Sequence, residues 1–439
     1  MSFRSPLLRA TRSRPQRLMA PRLLAGGFLV ASAVIAWLAV SVWLAARLLQ
    51  VAIALSIVYV AFLAWKGWRV MRRALAGGLA APLSSVSIVV PARDEAAVIE
   101  RLVGDLAAVT EADVLIVDDG SADGTGDLAR AAAAGLPHIR IVRREPGSGP
   151  ATKAAVLHFA EPHLRGDLLL VLDADARVAP DLLQRFAAGW ARDPSAIAVQ
   201  GLRRPESPAS GWLVAAQAEE QLFDTATQCG RWATDGTAEL RGNGMAIRRA
   251  ALEALGGWNE AALTEDLDLS TRLQAAGERV AIAPEATVRE QAVATLGPLW
   301  RQRLRWAEGS VRRLLEHGPR LLAAPLPLRA KLDFLAFTAE FLVPPLFVTT
   351  LLASLATIPL PQPADWSVPA SLFVGYGLGV FVLALAALHA DGRRGSALIG
   401  GSLRGSLFLS HWLLVVPFAL VRIALGPSTV TFTKTPRDR

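Results

Sequence analysis

Acidic residues recur in this chain where a short β-branched run gives way to a polar turn. Pro91-Ala-Arg93-Asp94-Glu95 follows SVSIVVPA (85–92), Asp118-Asp119-Gly120-Ser121 closes ADVLIVDDGS (112–121), and Asp173-Ala174-Asp175 lies in DLLLVLDADA (167–176). One such pair is ordinary in a strand-end turn or a helix cap. Three in order within one region imply a site that gathers carboxylates. Carboxylate oxygens suit Mg²⁺ or Mn²⁺, which bridge carboxylate to phosphate. A nucleoside diphosphate, with several negative charges, is the kind of ligand that requires this bridge.

Later segments add further candidates. Thr264-Glu265-Asp266 opens TEDLDLSTRLQAAG (264–277). Thr264 suits a helix N-cap, and both acids suit the positive end of the helix dipole. Asp266 also has the chemistry of a general base: a partly desolvated carboxylate beside an acceptor hydroxyl can take its proton near neutral pH. In RGNGMAIRR (241–249), Gly242 and Gly244 flank Asn243, a spacing that serves a tight turn or lets backbone approach a ligand. In PLWRQRLRWAEGSVRRLL (298–315), Trp300, Leu304, Ala307, Val311, Leu314 and Leu315 recur at helical spacing, with arginines 301, 303, 305, 312 and 313 on the rest. That pattern predicts an interfacial helix with its apolar side in lipid and its arginines near headgroups.

The elements that must hold these residues alternate strand and helix from about 84 to 295, which predicts an α/β domain with a parallel sheet and helices on both faces. Ligands of such sheets bind at the carboxyl ends of the strands, where these acids sit. The ends of the chain differ. Residues 1–22 form a basic tail with six Arg and no acid. Apolar runs 25–46 and 48–65, within 23–66, predict a transmembrane hairpin closed by Lys66, Arg69, Arg72 and Arg73. Residues 296–330 hold the amphipathic helix, and 331–426 hold three more apolar runs, about 334–358, 369–390 and 402–424. The loop 359–368 lacks Lys and Arg and is expected outside; 391–404 carries Arg393, Arg394 and Arg404 and is expected inside. Three full crossings put the tail 427–439 outside despite Lys434, Arg437 and Arg439, against the charge rule. The run 402–424, with His411 and Arg422, is the weakest span, and Glu340 is the one acidic residue in the apolar runs.

Composition agrees with this division. Of 439 residues, 52% are hydrophobic and 19% charged, and Lys+Arg 46 against Asp+Glu 38 leaves a net +8. A disordered chain is excluded. The single cysteine, Cys229, excludes an intrachain disulfide and reads as a small buried residue, and the six His show no zinc spacing. The basic residues flank apolar segments rather than interleaving with stacking aromatics, so lipid headgroups are expected as partner and nucleic acid is not.

With VVPARDEA (89–96), VDDGSADGT (117–125), Lys153, DAD (173–175), RGNGMAIRR (241–249), TEDLDLS (264–270) and QRLRW (302–306), the chain resembles glycosyltransferase family 2 over roughly 85–320. The resemblance implies a GT-A, Rossmann-like domain facing the cytoplasm and flanked by transmembrane helices. It implies donor-binding roles for Pro91, Arg93, Glu95, Asp118, Asp119, Lys153 and Asp173, and a Mg²⁺ or Mn²⁺ on Asp173 and Asp175. It also implies a catalytic Asp266 with Glu265, and an acceptor and diphosphate clamp from Gln302, Arg305, Trp306, Gly242 and Asn243. Two departures stand out: glycine usually precedes the lysine, where this chain reads GSGPATK, and Asp94 stands where Asn is commoner.

The stretches ELRGNGMAIRRAALEALGGWNE, LTEDLDLSTRL and LWRQRLRWAEGSVRRLL, with HWLLVVPFALVRIALG and KTPR later, resemble the cyanobacterial monoglucosyldiacylglycerol synthases. That implies inverting transfer of glucose from UDP-glucose to diacylglycerol at a plasma or thylakoid membrane. A processive synthase of the hyaluronan, poly-N-acetylglucosamine or cellulose type shares these motifs and stands as the alternative. A non-catalytic scaffold is disfavoured by Asp119, Asp173, Asp175, Asp266 and Trp306.

Overall fold

The computed structural model describes residues 19–41, 43–207, 211–339, 341, 343–357 and 367–426. Glu340, the loop 359–366, the tail 1–18 and the tail 427–439 lie outside the described residues. The chain opens with α1 (Met19–Ser41) and α2 (Trp43–Leu75). The α/β region follows: β1 (Val86–Ala92), α3 (Ile99–Leu106), β2 (Ala112–Asp118), α4 (Thr125–Ala132), β3 (Ile139–Arg143), α5 (Lys153–Ala160), β4 (Leu168–Val171), α6 (Leu182–Arg192) and β5 (Ala198–Glu206). Then come α7 (Trp212–Trp232), β6 (Met245–Arg248), α8 (Arg249–Ala254), α9 (Glu265–Ala275) and β7 (Val280–Gln291). The chain continues with α10 (Leu296–Ala323), α11 (Leu328–Ala339), α12 (Val343–Thr357), α13 (Ser367–Ala390), α14 (Gly395–Leu409) and α15 (Trp412–Leu425).

Alternating side chains bury both faces of the sheet. Ile88, Val90, Val114 and Ile116 enter one core with α3 and α6, while Val89, Leu115 and Val117 enter a second with α5, α8 and α9. Period-two alternation with apolar residues on both faces is what a sheet covered by helices on each side requires. The strand order is β3-β2-β1-β4-β6-β5-β7. β6 runs antiparallel to both β4 and β5, so the sheet is mixed rather than wholly parallel as the sequence pattern suggests. Strand direction depends on the route the chain takes between strands, which the β6 residues themselves do not encode.

Among the described residues, three helical stretches are long and apolar enough to cross a membrane: Ala54–Leu75, Leu328–Leu352 and Gly395–Leu425. Pro21–Trp37 and Val374–Ala390 are shorter apolar helices. α2 extends through the basic collar to Leu75, where Lys66 and Arg69 lie over Trp65 and Arg72 over Trp68, an aromatic and cationic ring suited to a membrane surface. The buried ends of α2 and α13 pack on α7, and Trp68 Nε1 donates to His389 Nδ1 at 2.8 Å.

Candidate active site

The register Ala92↔Asp118 and Val89↔Val171 brings the ends of β1, β2 and β4 to one edge. Asp94 takes a left-handed φ of 52°, a conformation that Asn and Asp tolerate better than other side chains. Its Oδ1 accepts from Ala122 N at 2.9 Å and its N donates to Ser121 Oγ at 3.0 Å, stitching the turn after β1 to the turn after β2. Asp119 lines the cavity described below, between Arg144 at 2.5 Å and Arg93 at 3.6 Å. Asp118 does not. It is fully buried, accepts from Ser121 N at 2.9 Å and from Arg143 Nη1 at 2.7 Å, and holds the turn itself. Neighbouring strand residues point to opposite faces, so the donor-binding expectation for Asp118 is corrected.

Lys153 opens α5 and reaches the site despite its altered glycine context. Its Nζ donates to Asp173 Oδ1 at 2.5 Å and Gly242 O at 2.9 Å, and lies 3.3 Å from Glu265 Oε1. Burial disfavours the ammonium, but Asp173 and Glu265 outweigh it and hold Lys153 above the ordinary lysine range. The lysine thus ties the end of β4 to the start of α9. Beside it the Asp266 carboxyl is pushed up to about 6, first by burial and then by the neighbouring Glu265 charge. Gly242, at φ 81°, closes over Asp266: a Cβ there would stand 3.1 Å from Oδ2. Thr264 occupies the N-cap position of α9 but makes no side-chain cap bond; it is buried against Gly309 of α10.

Asn243 is fully buried and does not face the cavity, correcting its expected clamp role. Its Oδ1 accepts from Asp173 N at 3.1 Å and its Nδ2 donates to Glu290 Oε2 at 2.9 Å, so it acts by positioning Asp173. Glu290 in turn pairs with Arg203 at 2.6 Å. The Trp306 ring has Arg303 4.2 Å and Arg203 5.3 Å from its centroid, so two guanidinium groups fix the indole.

Asp173 and Asp175 both line the cavity and offer only oxygen ligands, a donor set that fits Mg²⁺ or Mn²⁺. The Lys153 ammonium on Asp173 marks the place where positive charge is wanted. Asp268, Glu316 and His317 form another carboxylate and imidazole group, away from the cavity wall. Asp268 is already engaged by Asn259 at 2.9 Å, Arg272 at 2.7 Å and His317 at 2.8 Å, which makes it a brace between α9 and α10. Removing one partner of a buried charge network costs about 3–5 kcal/mol. Asp268→Ala is therefore expected to lower the melting temperature in detergent by several degrees, as read by tryptophan fluorescence during heating.

Sequence reasoning missed Glu239, Arg203, Glu290 and Glu220. Glu239 is fully buried among Arg313 at 2.6 Å, Arg241 at 2.9 Å and Arg231 at 3.7 Å. Burial raises its pKa, but the three guanidinium groups hold it down to about 2. Arg241 lay inside a motif already singled out; the others carry no local signal, because their partners lie far away in sequence. The α10 expectation is corrected in the same way. Leu304, Ala307 and Val311 are buried against Val415, Val416 and Ala419 of α15 rather than lipid. Arg303 and Arg313 point inward, to Glu220 and Glu239, rather than to headgroups.

One cavity of about 1090 Å³ joins these groups. Pro91, Arg93, Glu95, Asp119, Lys153, Asp173, Asp175, Gly242, Glu265 and Asp266 are among its polar lining residues, and Gln302, Arg305 and Trp306 line it too. The same cavity is lined by Ser56, Val60, Phe337, Phe341, Leu346, Phe347, Val380 and Leu383. Most of those belong to the stretches Ala54–Leu75 and Leu328–Leu352.

Residues 82–309 match the family described as "Glycosyltransferase like family 2". The chain is 32% identical over 361 residues to a beta-monoglucosyldiacylglycerol synthase from Synechocystis sp., covering 81% of this chain and 75% of that protein. It is 31% identical over 371 residues to a protein of the same name from Nostoc sp., covering 80% and 76%. Among solved structures, the mannosyltransferase PcManGT from Pyrobaculum calidifontis, in complex with GDP-Man and Mn²⁺, superposes with a TM-score of 0.53 at 23% identity, over 78% of this chain and 98% of that one. That last likeness speaks to the fold alone.

Proposed function

The chain belongs to glycosyltransferase family 2, and from that premise we propose that it transfers glucose from UDP-glucose to the free hydroxyl of 1,2-diacylglycerol, with inversion, at the cytoplasmic face of a membrane. The observation that carries this reading is the continuity of the cavity. A carboxylate-rich end suited to a nucleotide sugar opens directly onto aromatic and aliphatic side chains of two stretches apolar enough to cross a bilayer. A diacylglycerol has this division, with a small polar head and long apolar chains. Its neutrality also fits. Among the described residues, acidic side chains outnumber basic ones around the cavity, and the apolar lining from the two stretches includes no Lys or Arg to meet a lipid phosphate. The relatives are named for a glucosylated diacylglycerol product, which supports the same sugar and acceptor.

In this reading Asp266 accepts the proton of the acceptor hydroxyl. The freed oxygen forms its bond to the anomeric carbon as the bond from that carbon to the UDP oxygen breaks, and UDP leaves. A single displacement inverts the anomeric configuration. Asp119 and Arg93 hold the nucleoside end. Asp173 and Asp175 would hold a divalent cation, which when bound would neutralise charge on the diphosphate. Lys153 and Arg305 add fixed positive charge where negative charge develops. Trp306, held between Arg303 and Arg203, gives the acceptor head a flat wall. Membranes containing the protein, given radiolabelled UDP-glucose and diacylglycerol, are expected to place label in a small organic-soluble lipid. Label in a high-mass, water-soluble polymer overturns the lipid acceptor in favour of a polysaccharide synthase.

A further inference from the structure

The last apolar stretch, Gly395–Leu425, is 31 residues long and by composition is a candidate crossing. Its contacts say otherwise. The stretch breaks at Ser410–His411 into α14 of 15 residues and α15 of 14. Each piece is roughly 21–23 Å long at 1.5 Å per residue, short of the roughly 30 Å hydrocarbon core.

Anchors occur at its start and middle to the catalytic domain, and at its end to α10 and α1. Just before α14, Asp391 pairs with Arg204 of β5 at 2.5 Å. Arg393, just before α14, and Arg404 on it both pair with Glu219 of α7, which is fully buried. At the joint, Trp412 Nε1 donates to Glu220 of α7 at 2.8 Å. α15 then lies against α10: Phe418 meets Trp300 edge-on at 5.5 Å, and Arg422 lies 3.7 Å from Glu308. At its end Gly426 O accepts from Arg22 at 2.6 Å, and the neighbouring first turns of α1, through Ala25 and Phe28, share the buried cluster of α10. A segment that crosses a bilayer must deliver its two ends to opposite sides; the start of this one is tied to β5 and α7, and its end to α10 and the opening turn of α1. Its outer surface is apolar. Ile399, Leu403 and Leu407 on α14, and Leu414, Phe418, Val421 and Leu425 on α15, recur at helical spacing and are exposed.

We propose that α14–α15 is an interfacial strap, lying in the headgroup–acyl boundary of the leaflet nearest the catalytic domain. Its outer stripes enter the acyl region, and its inner faces clasp α7 and α10. The strap also forms one lip of the cavity, through Leu409, Trp412 and Val416. It leaves an even number of crossings, the parity that the charge rule asks for given Lys434, Arg437 and Arg439 in the sequence. This rests on the membrane reading above but not on donor or acceptor identity.

Two measurements on the full chain test it. Native Cys229 is fully buried and can stay. Asp127→Cys, on the exposed surface of α4, and Thr435→Cys are each probed with a membrane-impermeant maleimide in vesicles of both orientations. Both are expected to label from the same side; labelling from opposite sides overturns the strap. A fluorophore on Leu403→Cys or Phe418→Cys is expected to be quenched several-fold more by lipids brominated near the headgroup than by lipids brominated at the chain ends. Maximal quenching at the bilayer centre, or none at either depth, overturns the interfacial placement. Either result can occur with glucosyl transfer intact, so failure here and failure of the proposed function are separable.

Discussion

Asp266→Asn is expected to leave UDP-glucose binding near the wild-type value and to lower transfer by roughly 10²–10⁴-fold, the usual worth of a positioned general base. Asparagine keeps the size of the side chain and removes its ability to take a proton. The pH profile gives a second readout. With the Asp266 carboxyl near 6, the base is ionised and competent above that value and is lost as pH falls through it. Wild-type kcat/KM should therefore decline about tenfold per unit below roughly pH 6, and Asp266→Asn should lose that acid limb along with most of its rate. Calorimetric titration with UDP-glucose separates binding from transfer. A variant that keeps wild-type turnover, or one that loses donor affinity in proportion to rate, removes Asp266 from the role of base.

Asp175→Asn is expected to have an effect of similar size by a different route. Asp175 already accepts from Gln291 N at 3.0 Å, so the amide keeps one contact to the end of β7 while losing the charge that a cation meets. Transfer should fall by roughly 10²–10³-fold at low metal, as for other lost electrostatic stabilisation of a leaving group. Raising Mg²⁺ or Mn²⁺ to millimolar levels should recover part of it. In the wild type, EDTA should abolish transfer and added Mn²⁺ restore it. An Asp175→Asn protein with an unchanged metal response would place the cation elsewhere. The Asp268 cluster would not take its place, because its oxygens are already bound by Asn259, Arg272 and His317.

Which parts were legible follows from range. The strand-end acids were readable because a β-branched run and the turn that ends it are adjacent in the chain, and a covered sheet collects its strand ends at one edge. Asp94 and Asp119 fall there for that reason. Asp118 and Asn243 were misplaced because motif membership does not say which of two neighbouring side chains faces the cavity. Pleat direction decides the first, and the buried Glu290–Arg203 pair decides the second. Glu239 was invisible, since its three arginines come from positions 231, 241 and 313.

The same division holds for the whole molecule. Local pattern alone was sufficient for the α/β class and the apolar ends, because strand alternation and helix periodicity each act over a few residues. Whether an amphipathic helix turns its apolar side to lipid or to protein is a long-range matter. α10 shows the 3.6-residue pattern expected of an interfacial helix, yet α15 covers that side and Glu220 and Glu239 draw its arginines inward. Periodicity records that one side of a helix avoids water. Only the tertiary structure decides what replaces the water, because the replacing groups come from elsewhere in the chain.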